Sequence, residues 1–420
     1  MKTNYDVIIV GGGMVGSTLA CALAESALKI AVIEKNLPAE IQPSDDYDLR
    51  VSAISHSSQQ VFEHLGVWSG IRRRRCCAYE KMHVWHSQGD AELLFDAADS
   101  GVKELGHIIE NRVIQLALLE RIKQHDNVDL ISGQSVDAVQ YQPQNSQLTL
   151  ENGSLLSGRL LVGADGAHSM VRGAAGIELE MADYDQKGIV CVVTPEKHHQ
   201  HTAWQRFLST GPLAFLPLSN GQCSIVWSAD STEAEQLLTL DDEVFCKQLS
   251  DAFDGKLGRI ESVSSRAAFP LIRRHAHEYI KDGLVLVGDA AHTIHPLAGQ
   301  GVNLGLMDAA SLAEVMNVAI RHRRDFASYQ TLRKYERWRR GENQLMMYSM
   351  SAFKNLFGNK HRLLSKARNL GLALVQKSAM AKSALMRRAM GFDGDLPAIA
   401  RDNWNREAAA EDPFQSGSGR

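Results

Sequence analysis

The chain has 420 residues, of which 44% are hydrophobic and 22% charged, a composition that predicts two or three folded domains and excludes a mini-protein or a disordered chain. Lys and Arg number 45 against 49 Asp and Glu, a formal net charge of −4, so no overall charge favours nucleic-acid binding. Six cysteines are scattered without a Cys-x-x-Cys pair. This usage predicts no metal site and no disulfide framework, and it favours a reducing compartment.

The N-terminal segment predicts a strand, a turn, a helix and a second strand. Tyr5 to Val10 and Ile30 to Glu34 have strand patterns, with a helical pattern at Val15 to Ala24 between them; this arrangement is typical of a parallel sheet. The uncharged stretch from Val7 to Ala24 is long enough to resemble a signal peptide or membrane span, but glycines at 11–13 interrupt it early. We therefore expect only peripheral contact with any membrane.

Further along, helical patterns at 57–65 and 113–124 alternate with strand patterns at 128–132, 147–150 and 155–162. The pattern changes between about Gly188 and Pro270, where longer strands follow one another without glycine-rich loops, as in an antiparallel sheet. A last strand at 284–287 leads into a helix from about 301 to 319. We therefore expect residues 188–270 to form an antiparallel domain inserted between two parts of a first domain, 1–187 and 271–342, which also supplies part of the substrate-side layer.

The C-terminal part of the chain differs in charge from the residues before it. Residues 343–392 contain nine Lys and Arg and no acid, with apolar residues at helical spacing, so the rest of the chain carries a formal charge of −13. We expect a basic amphipathic helical region at 343–392 and a disordered tail at 393–420. A helix packed on the first domain and a surface for anionic lipid or partner subunits are both consistent with the basic region.

A glycine fingerprint lies at the first turn. Gly11, Gly13 and Gly16 follow a predicted strand and open a helix, where they would allow a tight turn, close approach of a pyrophosphate and helix–strand packing. Glu34, at the end of the second strand, is placed to bind ribose hydroxyls, and an acid there favours FAD or NAD over NADP. The other nucleotide contacts expected around this turn are Met14, Val15 and Lys35.

Two later motifs also follow predicted strands. Asp165–Gly166 comes after the strand at 155–162, and Gly288–Asp289 after the strand at 284–287. The three motifs in this order resemble the single-component FAD-dependent aromatic hydroxylases, the group that includes para-hydroxybenzoate hydroxylase, over about residues 5–340. The resemblance implies an α/β fold: a Rossmann-type FAD-binding domain, an inserted antiparallel β-sheet substrate domain and a helical C-terminal extension.

The resemblance also implies roles around non-covalent FAD. Asp165 and Gly166 would lie at the pyrophosphate, and Gly288 and Asp289 at a ribityl hydroxyl. Arg50 would contact the flavin side, and Asn111 stands where the family has another FAD-contacting arginine, with Arg112 beside it, so which of these two reaches FAD stays open. The loop and helix start that would face the flavin comprise Pro296, Gly299, Gln300, Gly301, Val302 and Asn303.

Segments 49–54, 106–111, 213–218 and 295–305 narrow the resemblance to the ubiquinone-biosynthesis hydroxylases. Within this subgroup, 223–228 and 388–391 look most like the hydroxylases of a 2-polyprenylphenol. The implied reaction uses NADH or NADPH and O2 to hydroxylate the ring of a lipophilic polyprenylphenol. The alternatives are a paralogue that acts on a later polyprenyl-methoxy-benzoquinol and an FAD-dependent reductase without oxygen transfer.

Ionisation of a phenol, whose pKa is near 10, needs a base or a hydrogen-bond relay. His295 is the candidate base, with Pro296 beside it at the flavin-facing loop. The expected location is cytoplasmic, with peripheral contact at the inner face of the bacterial inner membrane. A homo-oligomer and an assembly of ubiquinone-biosynthesis proteins both stay open, and no nucleic-acid partner is expected.

Overall fold

The computed structural model describes residues 2–42, 44–87, 92–294, 300–358, 378, 390–391 and 394–401. Its strands, in chain order, are β1 Lys2–Val10, β2 Ile30–Glu34, β3 Val51–Ser55, β4 Cys77–Tyr79, β5 Lys81–His86, β6 Glu92–Asp96, β7 Gly106–Glu110, β8 Val128–Ser132, β9 Val136–Gln140, β10 Ser146–Leu150, β11 Leu155–Gly163, β12 Leu179–Pro195, β13 Thr202–Phe207, β14 Pro212–Pro217, β15 Cys223–Asp230, β16 Ile260–Val263, β17 Ala267–Ala276, β18 Ile280–Lys281, β19 Leu284–Leu286 and β20 His292–Thr293. Its helices are α1 Met14–Leu23, α2 His56–His64, α3 Trp68–Arg74, α4 Asn111–Ile122, α5 Met170–Ala174, α6 Ser231–Thr239, α7 Asp242–Ala252, α8 Gln300–Arg321 and α9 Tyr329–Gly358, with short 3-10 helices at Ala97–Ser100, Gly288–Ala290 and Ala398–Ala400.

The first sheet is built on five parallel strands in the order β19-β11-β1-β2-β8. Val7, Ile8 and Ile9 of its central strand β1 have no exposed surface; α1 packs against β1 and β2, and α4 and α8 pack against α1. A continuous apolar run of this kind is typical of a parallel strand buried on both faces. Antiparallel strands β9 and β10 extend the sheet from β11, and the predicted hairpin between 147–150 and 155–162 is confirmed.

The second sheet follows the order β20-β17-β12-β15-β14-β13-β5-β6, with β16 on β12. Its strands pair antiparallel except β13 with β5. A small third sheet, β3-β7-β4, lies beside it. The α/β class with a parallel sheet and an added antiparallel sheet is thus confirmed.

This second sheet is larger than the segment 188–270 that the sequence suggested. Strand β12 already begins at Leu179, and β17 continues to Ala276. Strands β5 and β6 lie far earlier in the chain, between residues 81 and 96. The same segment also contains α6 and α7, which the strand patterns did not indicate. Helix α7 starts where the Asp241 side chain accepts a hydrogen bond from the Val244 N–H at 2.9 Å, the usual N-cap interaction.

Close backbone packing joins α1 to the parallel sheet. Gly11 has φ +104°, and a Cβ atom there would overlap the carbonyl group of Ala164, just after β11. A Cβ atom at Gly16 would overlap the carbonyl oxygen of Gly11 and lie 3.1 Å from Ile9. Glycine at these two positions therefore fixes how closely the turn, the helix and the strands approach one another.

We expect Gly16→Ala to lower the free energy of unfolding by about 1–3 kcal/mol, because the added methyl group must push α1 away from the glycine turn. The matched control is Gly341→Ala in α9, where a Cβ atom would meet nothing within 4 Å and the change should be neutral or stabilising by up to about 1 kcal/mol. Chemical denaturation of both variants measures the difference; equal stability of the two would contradict the packing argument.

Candidate functional site

A cleft of about 490 Å³ lies where the loops at the carboxyl ends of the parallel strands meet the second sheet. Ligands of open α/β sheets bind at this edge. Ten of the residues singled out in the sequence line it: Gly13, Met14, Val15, Arg50, Asn111, Gly166, Gly288, Asp289, Gly301 and Val302. The fold thus brings all three glycine motifs to one cleft.

The first turn presents bare backbone to the cleft. Gly13 is the N-cap of α1 and provides no side chain to cap it, and a Cβ atom there would meet nothing within 4 Å. At Gly12 a Cβ atom would lie 2.8 Å from the Cβ of Glu34, so the carboxylate residue that ends β2 packs beside this turn. Unpaired helix N–H groups next to an acid suit a diphosphate and its ribose.

Not every predicted nucleotide contact reaches the cleft. Gly11 and Gly16 are used in packing, as described above. The Lys35 ammonium lies 3.6 Å from Glu151 on the surface, with 60% of its side chain exposed. Lys35 therefore does not line the cleft, because its flexible side chain pairs with the carboxylate across the turn.

In the Asp165–Gly166 motif, one carboxylate oxygen of Asp165 is hydrogen-bonded within the described part of the protein and the other is not. The Asp165 Oδ2 atom accepts hydrogen bonds from the N–H groups of Met170 at 2.7 Å and Val171 at 3.2 Å, which caps α5. Its Oδ1 atom is buried and has no partner among the described residues. A buried carboxylate oxygen without a donor is costly, so this atom and the open backbone at Gly166 are consistent with a hydroxyl- and phosphate-bearing ligand.

Arg172 connects this motif to the Gly288–Asp289 motif. Its guanidinium donates to the carbonyl oxygens of Ala167 at 2.9 Å and Ala290 at 2.8 Å, and burial lowers its pKa. Asp289 itself faces the cleft. Desolvation by the surrounding walls raises the pKa of Asp289, against the opposing charges of His292, Arg50 and Arg274.

The choice between Asn111 and Arg112 is clear in the structure. Asn111 lines the cleft, where its Oδ1 atom accepts a hydrogen bond from Ser52 at 2.6 Å. The Arg112 guanidinium is paired with Asp48 at 3.1 Å and lies 3.7 Å from Asp45. Of the two, Asn111 is the residue placed to contact a ligand.

The start of α8 forms another wall of the cleft through Gly301 and Val302. The Asn303 side chain instead accepts from the Ser55 N–H at 3.0 Å and donates to the Ala53 carbonyl at 2.8 Å. It therefore anchors α8 to β3 and is not a cleft contact. His295, Pro296 and Gly299 lie outside the described residues, as does the Gln300 side chain, so the candidate base stays a prediction.

A buried network behind the cleft has Asp308 of α8 at its centre. This fully buried carboxylate accepts hydrogen bonds from His292 Nε2 at 2.5 Å, Gly288 N–H at 3.1 Å, Arg339 Nε at 2.9 Å and Asn343 Nδ2 at 3.1 Å. Desolvation opposes ionisation, but His292 and Arg339 outweigh it and lower the pKa of Asp308 to about 2. Asp308 thus holds the Gly288–Asp289 turn against α8 and α9.

The second sheet provides cleft residues that the sequence did not single out. Val190, Val226, Phe269 and Leu271 form an apolar wall, and Arg274 lies further along β17. Phe269 keeps 47% of its surface exposed. Alternation along these strands could have indicated inward-facing positions, but not that they meet the glycine motifs.

None of the helices in the described ranges is both long and apolar enough to cross a membrane. The His, Cys, Asp and Glu side chains of these ranges form no group of three or more that could hold a metal ion.

Residues 4–347 match the family described as FAD binding domain. In sequence, the chain is 37% identical over 387 residues to 3-demethoxyubiquinol 3-hydroxylase of Escherichia coli (strain K12), covering 92% of this chain and 98% of that protein. It is 35% identical over 430 residues to the mitochondrial ubiquinone biosynthesis monooxygenase COQ6 of Danio rerio, covering 91% and 89%. The crystal structure of p-nitrophenol 4-monooxygenase PnpA from Pseudomonas putida DLL-E4 superposes with a TM-score of 0.75 at 18% identity, covering 93% and 99%, a likeness of fold alone.

We expect Gly13→Val to weaken FAD binding by about 10- to 100-fold, because its side chain would occupy the space that a diphosphate needs. The free energy of unfolding of the FAD-free protein should change by no more than about 1 kcal/mol, since a Cβ atom at this position meets nothing within 4 Å. Flavin absorbance of the purified protein and titration with FAD measure the first quantity. Normal FAD content in this variant would exclude the diphosphate from this turn.

We expect Asp308→Asn to destabilise the protein at neutral pH, and by less in acid. Because the folded-state pKa of about 2 lies below the unfolded value, ionisation of Asp308 stabilises the fold above about pH 4, and on the order of 2 kcal/mol is lost as the pH falls through 2. Unfolding free energies between pH 7 and pH 2.5 should therefore converge for variant and wild type. The control substitution is Asp46→Asn at an exposed carboxylate. An Asp308→Asn profile that runs parallel to wild type would contradict the assignment.

Proposed function

The chain belongs to the FAD binding domain family and, within it, to the ubiquinone-biosynthesis hydroxylases, and from this premise we propose that it hydroxylates the ring of a polyprenyl-substituted quinol. The resemblance to FAD-dependent aromatic hydroxylases that the three motifs indicated is confirmed. The proposed reaction uses NADH or NADPH and O2. The observation that carries it is the single cleft in which the glycine motifs face an apolar wall of the second sheet.

Bound FAD would supply the redox chemistry, as the acceptor of a hydride from the nicotinamide donor and the site of O2 activation. The residues of the first sheet would hold it. The N–H groups around Gly13 and the positive end of α1 would bind its diphosphate, Glu34 its ribose, and Asp289 a ribityl hydroxyl. The positive end of α8 would stabilise negative charge on the flavin ring by roughly 0.3–2 kcal/mol.

The apolar wall would hold the substrate ring. Val190, Val226 and Leu271 exclude water from the part of the cleft where a ring would lie, and exposed Phe269 offers further apolar surface beside it. A lipophilic quinol gains about 25 cal/mol for each Å² of apolar surface that it buries there. His295 remains the proposed base and Pro296 its neighbour at the ring.

We propose a demethoxyubiquinol as the substrate. Support comes from the relative named 3-demethoxyubiquinol 3-hydroxylase, with which this chain shares 37% identity along nearly its whole length. The earlier intermediate, a 2-polyprenylphenol, is the second candidate, because segments 223–228 and 388–391 look like hydroxylases of that compound. The first assignment is preferred since it rests on the whole chain and the second on two short segments.

The partners follow from this substrate. A polyprenyl tail partitions into the bilayer, so we propose peripheral membrane contact from the cytoplasmic side. The nine positive charges of residues 343–392 suit an anionic lipid surface. The alternatives are an assembly with other proteins of the pathway and a homo-oligomer. Salt-dependent binding to membranes would support the lipid contact, and the mass of the protein in solution would reveal an oligomer.

We expect the purified FAD-loaded protein to convert a short-chain demethoxyubiquinol analogue to its hydroxylated product under ¹⁸O₂, with one labelled oxygen on the ring and one nicotinamide oxidised per product. Mass spectrometry and nicotinamide absorbance measure the two quantities, with the FAD-free protein as the inactive control. Hydroxylation of only the matching polyprenylphenol would instead assign the earlier step. Nicotinamide oxidation without label on the ring, with either compound, would overturn the monooxygenase proposal in favour of a reductase.

A further inference from the structure

Arg274 is a largely buried arginine for which the described residues provide no side-chain partner. It lies in β17, lines the cleft and exposes only 9% of its surface. In the part of the chain that the structure describes, its guanidinium has no hydrogen bond and no ion pair. An arginine that lines a cleft and whose guanidinium is not paired within the protein has its donors free for an anionic group of a ligand.

Neighbouring arginines show the contrast. Arg273, the next residue of β17, is paired with Glu180 at 2.5 Å and does not line the cleft. Arg172 is also buried but donates to two backbone carbonyl groups. Both arginines are thus satisfied by the protein itself, and Arg274 is left facing open space.

The position of Arg274 indicates which part of a ligand it would meet. It pairs across the sheet with Thr293 of β20, just after the Gly288–Asp289 turn. Along β17 it is five residues from Phe269 of the apolar wall, about 16 Å in an extended strand. Arg274 therefore lies close to the Gly288–Asp289 motif, where the second sheet meets the first.

The charged residues that line the cleft also favour an anionic ligand. Among the described lining residues, the charged ones are Arg50, Arg274 and Asp289, which leaves an excess of positive charge. Arg274 lies near enough to affect the pKa of Asp289 but makes no ion pair with it. The planar guanidinium matches the geometry of a phosphate, which it can bind through two parallel hydrogen bonds.

We propose that Arg274 is an anion-binding residue that contacts a phosphate oxygen of a nucleotide in this cleft. The inference rests on the nucleotide cofactors of the proposed function, and the phosphate belongs to FAD or to the nicotinamide donor. The binding measurements below separate these two sources. Because none of them uses the aromatic substrate, failure to hydroxylate a quinol would leave the assignment of Arg274 standing.

The test compares Arg274→Met with Arg273→Met as the matched control and Arg274→Lys as the charge-conserving variant. Titration of FAD-free protein with FAD gives one affinity. The rate of anaerobic flavin reduction against NADH or NADPH concentration gives the other. We expect Arg274→Met to weaken one of the two by about 10- to 100-fold, the effect of losing one charge-assisted contact, with partial recovery in Arg274→Lys and no change in Arg273→Met.

Thermal unfolding of the FAD-free variants separates binding from a structural role. Removing an unpaired buried charge should leave Arg274→Met at least as stable as wild type. Unchanged affinities for FAD and for both donors would overturn the proposal, as would a loss of stability without a loss of affinity. An effect confined to the KM of the aromatic substrate would overturn it too, by assigning Arg274 to a ring oxygen.

Discussion

The buried carboxylate of Asp308 determines where the cleft walls lie. It receives hydrogen bonds from β20, from the Gly288–Asp289 turn and from α9, while it belongs to α8 itself. The N-terminus of α8 and the Asp289 side chain both face the cleft. The Asp308 carboxylate joins all of these elements. The site is therefore held in place where a flavin would bind, although its walls come from distant parts of the chain.

Two aspartates within this region show how surroundings divide their roles. Asp308 is surrounded by His292 and Arg339, which lower its pKa and keep it ionised. Asp289 faces the cleft, where desolvation outweighs the nearby positive charges of His292, Arg50 and Arg274 and raises its pKa. Both oxygens of the Asp308 carboxylate are hydrogen-bonded within the protein. The Asp289 carboxylate keeps its hydrogen-bonding capacity for a ligand, which is why neighbouring residues of the same type are not interchangeable.

The sequence was sufficient wherever the determinant was local. The glycine turn, the strand before each motif and the acid that ends β2 are all encoded within a few residues. The parallel pairing of β13 with β5 joins segments more than a hundred residues apart, and no local pattern contains it. Arg274 and the partners of Asp308 were missed for a related reason, since each is a single residue whose meaning depends on what folds against it.

The two sheets contribute different kinds of groups to the cleft. The first contributes backbone, glycines and charges, and its geometry is set by contacts such as Gly305, where a Cβ atom would lie 2.7 Å from Val15 and 3.3 Å from Gly288. The second contributes apolar side chains whose identity the backbone does not dictate. The fold is shared with the crystal structure of PnpA at only 18% identity, so the same backbone architecture forms from very different side chains, and Val190, Val226 and Phe269 are set by the sequence of this chain and not by its fold.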